Sequence, residues 1–179
     1  MVVRTVTRRP RNRKEMRQLY IPSKMAYVKG KRPRVDCILC AVHQKDQKVS
    51  KLEIYRTPYW IVSANLHPYN AGHLLLFPIR HIIDVRELTK AEASDLHSLQ
   101  NYCLDVLDAT YKPAGYNIGF NIRRPAGASI EHLHLHVVPR YPNEAGFMDI
   151  LSETRTIVES PKRTVEKLRK HFRKLQKKK

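Results

Sequence analysis

The run "EHLHLHVVPR" at residues 131–140 places His132, His134 and His136 at every second position among apolar neighbours. On an extended strand alternate residues share a face, so the three imidazoles would stand about 6.6 Å apart at a rise of ~3.3 Å per residue. Leu133, Leu135 and Val137 would then face apolar packing on the other side. Each imidazole carries two nitrogens that need partners, which makes three of them poor core material. Their register points instead to a metal site, or to nucleophilic and phosphate-binding chemistry. A second capable set is Cys37 and Cys40, a C-x-x-C pair that suits half a zinc site or redox chemistry. Cys103, alone inside a helical pattern, suits a buried apolar role.

The elements that must position these residues are short strands and two helices. "KLEIYRTPYWIVSAN" (51–65) alternates as two strands that turn near Thr57-Pro58, a dipeptide that favours a break. Gly72 ends the turn "LHPYNAG", and His73 opens the next strand, "HLLLFPI". From Thr89 to about Tyr111, apolar residues recur at Leu96, Leu99, Cys103, Val106 and Leu107, and Thr89 with Glu92 forms a capping box. "GYNIGFNI" (115–122) alternates again, and "RRPAGAS" breaks the chain before the histidine strand. Ser160-Pro161 caps a final basic helix. No internal repeat is apparent, and the outline is α+β.

The formal net charge of +18 is unevenly distributed: residues 1–35 carry twelve Lys/Arg against one acid, residues 161–179 ten against one, and residues 36–160 twelve against fourteen. A near-neutral middle can hold a pocket, while the basic ends are expected to be solvated flanking segments that attract polyanions, nucleic acid among them. No run of about 18 uncharged apolar residues occurs, and the Arg-rich start has no apolar segment behind it. A soluble, cytoplasmic protein without membrane association is the expectation.

"HLHLHVV" matches the alternating His-apolar signature of the histidine triad superfamily, nucleotide hydrolases and nucleotidyl transferases that act on an α-phosphate. The resemblance extends through "LYIPSKMAYVKGKRPRVDCILC", "NLHPYNAGHLLLFPIRHIIDVREL" and "NIRRPAGASIEHLHLHVVPR", roughly residues 18 to 160. "NEAGFMDILSETRTIVES" most resembles the branch of diadenosine tetraphosphate phosphorylases and related hydrolases. The resemblance implies an α+β fold with a five-stranded antiparallel sheet, one long central helix and a basic C-terminal helix, usually as a homodimer. It divides the chain into an N-terminal arm (1–17), a histidine triad domain (18–160) and a basic C-terminal helix and tail (161–179).

By the same resemblance His134 is the nucleophile toward the α-phosphorus, forming a nucleotidyl-histidine. His136, Asn121, Gly127 and Ser129 would bind the phosphate, Asn65 the ribose, and His73 would support the triad. Ala128 departs from the pattern, because many relatives carry glutamine there, and that residue's leaving-group contacts cannot be carried over. Zinc-containing relatives complete a Cys-x-x-Cys site with two histidines that map onto His81 and His132, which makes Cys37, Cys40, His81 and His132 a structural zinc set with His43 as a competitor. The implied activity is cleavage of dinucleoside polyphosphates such as diadenosine tetraphosphate, with nucleoside phosphoramidates, other adenylylated compounds or adenylylated nucleic-acid ends as alternatives. His67, His97 and His171 are expected at the surface.

Overall fold

A computed structural model describes residues 33–142 and 159–176. The N-terminal arm (1–17), most of the segment leading to Cys37, and residues 143–158 lie outside the described residues. The short apolar runs form five strands, β1 (Glu53–Arg56), β2 (Trp60–Ala64), β3 (Leu74–Pro78), β4 (Gly115–Phe120) and β5 (Leu135–Arg140); β2 and β3 are buried throughout, and Ile118 of β4, expected on the apolar face, is exposed. They form one antiparallel sheet in the order β1-β2-β3-β5-β4. The last strand thus inserts between the Gly-His strand and β4, which sets His136 beside Leu75 on one flank and Gly119 on the other. Gly119 has no side chain to crowd that ring.

The period of two also sorts the faces. Trp60, Val62, Leu74, Leu76, Leu133, Leu135 and Val137 join the main core. Ile61 and Phe77 point the opposite way and pack with Leu39 of α1 (Ile38–His43). The histidines share that second face with α1, so the expected division of faces holds. The expected strand does not extend as far, since pairing begins at Leu135, after His132 and His134. Leu133 instead donates its N–H to the carbonyl of Ile82 at 2.6 Å. The histidine segment is therefore tied to the loop that follows β3.

On the main-core face lies α2 (Lys90–Tyr111), whose Thr89–Glu92 capping box forms as expected. Glu92 does more than cap. Its buried carboxylate receives Arg80 Nε at 3.1 Å and Nη2 at 2.9 Å, and the Arg80 guanidinium holds it well below the usual carboxylate range. That pair fixes the residue next to His81 onto the start of α2.

The C-terminal helix, α3 (Pro161–Gln176), differs from the solvated segment that its charge suggests. Val165, Leu168 and Phe172 recur on one face and are buried in the main core. Phe172 stacks on Tyr55 at 5.0 Å and meets Tyr102 edge-on at 5.1 Å. Buried Glu159 accepts from Tyr111, Lys167 and Thr164, the last at 2.8 Å, and so ties the start of α3 to the end of α2. Net charge reports the exposed face of such a helix and is blind to its apolar stripe. No described helix is long and apolar enough to cross a membrane.

Truncating Phe172 to Ala should cost about 3–5 kcal/mol, the range for a large core aromatic, measured as a shift in urea unfolding. A loss under ~1 kcal/mol would show that α3 does not carry the core.

Candidate active site and metal cluster

Backbone amides only donate and carbonyls only accept, so the site fixes its own imidazole tautomers. His134 Nδ1 lies 2.6 Å from the His132 carbonyl oxygen, so Nδ1 carries the proton and Nε2 presents a lone pair. The Tyr69 backbone N–H donates to His73 Nδ1 at 3.0 Å, which leaves the neutral ring's proton on Nε2. That Nε2–H in turn donates to His136 Nδ1 at 3.0 Å, and His136 keeps its own proton on Nε2. The bond to the His132 carbonyl thus leaves a lone pair on His134, and a separate relay of two bonds, Tyr69 to His73 to His136, leaves a donor on His136. The two rings lie 5.0 Å apart.

Both arrangements require neutral rings, and burial supplies them. His73 is pushed down to about 3 by burial and then by His136 and His134. His136 falls to about 4 by burial and by His134. His134 is lowered by burial, partly offset by its bond to the His132 carbonyl. The Tyr69 ring stacks on His73 at 5.0 Å between centroids and screens the pair. Tyr69 was not legible as a site residue, because its key group is a backbone N–H.

Around the histidines, Asn65 turns its Oδ1 to the His67 N–H at 3.0 Å and its amide nitrogen to the His73 ring, 3.3 Å from either ring nitrogen. It therefore braces His73. Asn121 follows β4, and Gly127 comes after a tight turn at Arg124–Ala126 with φ of 93°, where a side chain would be strained. A Cβ placed on Gly127 would lie 3.6 Å from Asn121 Nδ2, so the two positions meet. Ser129 is exposed. Among the described residues, neither the Asn121 nor the Ser129 side chain is engaged in a hydrogen bond.

The Cys37, Cys40, His81 and His132 donor atoms all lie within 4.8 Å of one another. Cys37 Sγ is 3.3 Å from His132 Nδ1, and Cys40 Sγ is 3.3 Å from His81 Nδ1 and 3.5 Å from His132 Nδ1. Sulfur and nitrogen bound to one tetrahedral zinc ion are separated by roughly 3.5 Å, so the donor set fits zinc in type, number and spacing. His132 Nε2 donates to the Pro78 carbonyl at 2.9 Å, the outer bond that orients a metal-binding imidazole. Cys37 caps α1, accepting from the Cys40 N–H at 3.4 Å, which places both sulfurs on one side. Burial and the neighbouring Cys37 push the Cys40 thiol up to about 11, a bias that a bound dication reverses. His43 lies outside this cluster. Cys103 is fully buried and its thiol is pushed up by burial, in line with an apolar role. His97 is exposed, whereas His67 and His171 are half-buried.

The HIT domain family model matches residues 46–143. The chain belongs to the HIT domain family. An AP-4-A phosphorylase of Mycobacterium tuberculosis (strain H37Rv) is 38% identical over 94 residues, 52% of this chain and 48% of that protein. A Bis(5'-nucleosyl)-tetraphosphatase [asymmetrical] of Schizosaccharomyces pombe is 31% identical over 86 residues, 48% of this chain and 47% of its own. The chain thus spans about half the length of these curated relatives. Among solved structures, a Zn-bound histidine triad family protein from Mycobacterium smegmatis superimposes with a TM-score of 0.65 at 21% identity, covering 80% of this chain and 98% of that one. The HIT fold is shared at that level.

His73 and His136 are held below the ordinary value of 6.5, so the unfolded chain binds protons that the folded chain refuses. Their contribution is full above pH ~6.5 and should be lost as the pH falls through about 4 for His136 and about 3 for His73. Thermal melts across this window should show a falling midpoint whose slope shrinks in His73→Gln. An undiminished slope would exclude His73 as a source.

Proposed function

We propose that the protein cleaves dinucleoside polyphosphates at the α-phosphate through a nucleotidyl-His134 intermediate. The observation that carries this reading is the 2.6 Å bond between His134 Nδ1 and the His132 carbonyl, which leaves Nε2 as the free nucleophile. As Nε2 forms the P–N bond and the bond to the leaving nucleotide breaks, the ring becomes cationic. The carbonyl that accepts Nδ1–H stabilises that charge with no reorganisation. The His136 Nε2–H would donate to a phosphate oxygen, and Asn121, Gly127 and Ser129 would hold the others. Water or inorganic phosphate then attacks phosphorus from the opposite side and returns the electron pair to His134. The substrate class is supported by the names of the mycobacterial and fission-yeast relatives.

We also assign Cys37, Cys40, His81 and His132 to one zinc ion, a reading supported by their spacing. Bound there, zinc would act as a closed structural clamp. It would join α1, the loop after β3 and the residue whose carbonyl holds the nucleophile.

Diadenosine tetraphosphate incubated with and without inorganic phosphate, with products separated by chromatography, tests the activity. ADP with ATP appearing only with phosphate identifies phosphorolysis, and AMP with ATP in its absence identifies asymmetric hydrolysis. His134→Ala should lower the rate by about 10⁴-fold or more while its melting curve is retained. A rate within tenfold of wild type would remove His134 from the role. Metal analysis should find zinc equimolar with the chain, and Cys40→Ser should lower both zinc content and melting midpoint. Unchanged zinc stoichiometry in that variant would contradict the ligand set.

A further inference from the structure

Arg123 occupies a backbone conformation, φ 68° and ψ 160°, that is open to glycine and strained for any residue with a Cβ. Such strain persists only where the surroundings impose it, and it clusters at functional sites. Here the surroundings are visible. The Arg123 carbonyl accepts the N–H groups of Ala126 at 3.2 Å and Ala128 at 3.3 Å, closing the loop that carries Gly127 and Ser129. Glycine would close the same loop without strain, so the loop alone does not account for an arginine.

The side chain supplies a reason. Arg86, Arg123 and Arg124 border a cavity of about 420 Å³ that has Asn121, Ala128 and His132 in its wall. The carboxylates of that wall are already engaged. Asp84 pairs with Arg86 at 2.9 and 2.6 Å, and Glu131 with Arg124 at 3.2 Å. Glu87 accepts the N–H groups of Ile83 at 3.0 Å and Asp84 at 2.8 Å. Among the described residues the exposed Arg123 guanidinium has no hydrogen bond or ion pair. Its charge nevertheless reaches this wall, because Arg123 adds to the depression of the Asp84 carboxyl that Arg86 dominates. A planar guanidinium suits a phosphate oxygen pair, and a cavity of this size can hold a short polyphosphate.

We propose that this cavity is an anion subsite for the phosphates beyond the scissile one, with Arg123 its specificity-determining residue. The inference rests on the dinucleoside polyphosphate reading above. Arg123 thereby holds a cation beside the loop of Gly127 and Ser129 in a conformation that glycine would adopt more easily, and the charge gives selectivity toward substrates with several phosphates.

Two measurements on wild type, Arg123→Gly and Arg123→Lys test it. The first is the ratio of kcat/KM for diadenosine tetraphosphate to that for a nitrophenyl ester of AMP, which has no further phosphate. Arg123→Gly should lower this ratio by about tenfold or more, the loss of one charge-assisted contact, and Arg123→Lys by less, while Arg123→Gly raises the melting midpoint. An unchanged ratio with active enzyme overturns the inference and leaves the proposed function intact. The second is calorimetric binding of inorganic tripolyphosphate, expected for wild type and weakened by a similar factor in Arg123→Gly. If wild type turns over neither substrate the proposed function fails, and tripolyphosphate binding still decides the subsite: equal binding by wild type and Arg123→Gly, or none by either, overturns it.

Discussion

The hydrogen bond from His134 to the carbonyl of His132 is the contact on which the site depends. It chooses the tautomer, orients the ring and waits as a counter-dipole for positive charge. The residue that supplies this carbonyl is itself held on two sides. His132 donates from Nε2 to the Pro78 carbonyl at the end of β3, and its Nδ1 faces the two cysteine sulfurs. One residue thus joins the Cys37, Cys40 and His81 cluster to the His134 ring through its own backbone. A displaced His132 ring would move the carbonyl with it, and an aim that is off by about 1 Å is enough to lose much of a positioned nucleophile's advantage.

Sheet order explains how distant segments converge. Because β5 lies between β3 and β4, the ends of β3 and β4 and the start of β5 meet at one end of the sheet. His81 of the Cys/His cluster, the loop with Gly127 and Ser129, and the segment carrying His132 and His134 all lie there. The His73–His136 bond crosses from the start of β3 to β5, where the turn containing Tyr69 closes over it. Behind this face α2 and α3 bury the opposite side of the sheet, and Arg80 with Glu92 anchors the loop carrying His81. The polar site therefore sits on a scaffold whose rigidity comes from apolar packing on its far side.

Much of this was legible in residue types and spacing. Alternation gave most of the strands and their faces, the Thr89–Glu92 box gave the start of α2, and the Cys37–Cys40 spacing gave half of a donor set that the family resemblance completed with His81 and His132. A nucleophilic His134 implies a backbone carbonyl on its other ring nitrogen, but which backbone groups set the tautomers was not legible. The carbonyls of His132 and Pro78 and the N–H of Tyr69 belong to no residue type, yet they set the tautomers. The role of α3 was obscured for another reason: its exposed lysines and arginines dominate any count of charge, while Val165, Leu168 and Phe172 do the packing. Asn65, read as a ribose contact, has its side chain against His67 and His73. A pattern match carries identity to a position but not the hydrogen bonds made there.

A covalent step on His134 has a stereochemical signature that needs no intermediate to survive isolation. Each in-line displacement inverts phosphorus, so two displacements restore its configuration. The measurement is the configuration of the product formed from a dinucleoside polyphosphate made chiral at the α-phosphorus with sulfur and an oxygen isotope. Net retention is the result predicted by attack from His134 followed by attack from water or phosphate. Net inversion would mean that the acceptor attacks the substrate directly, and that the lone pair held on His134 serves some other purpose.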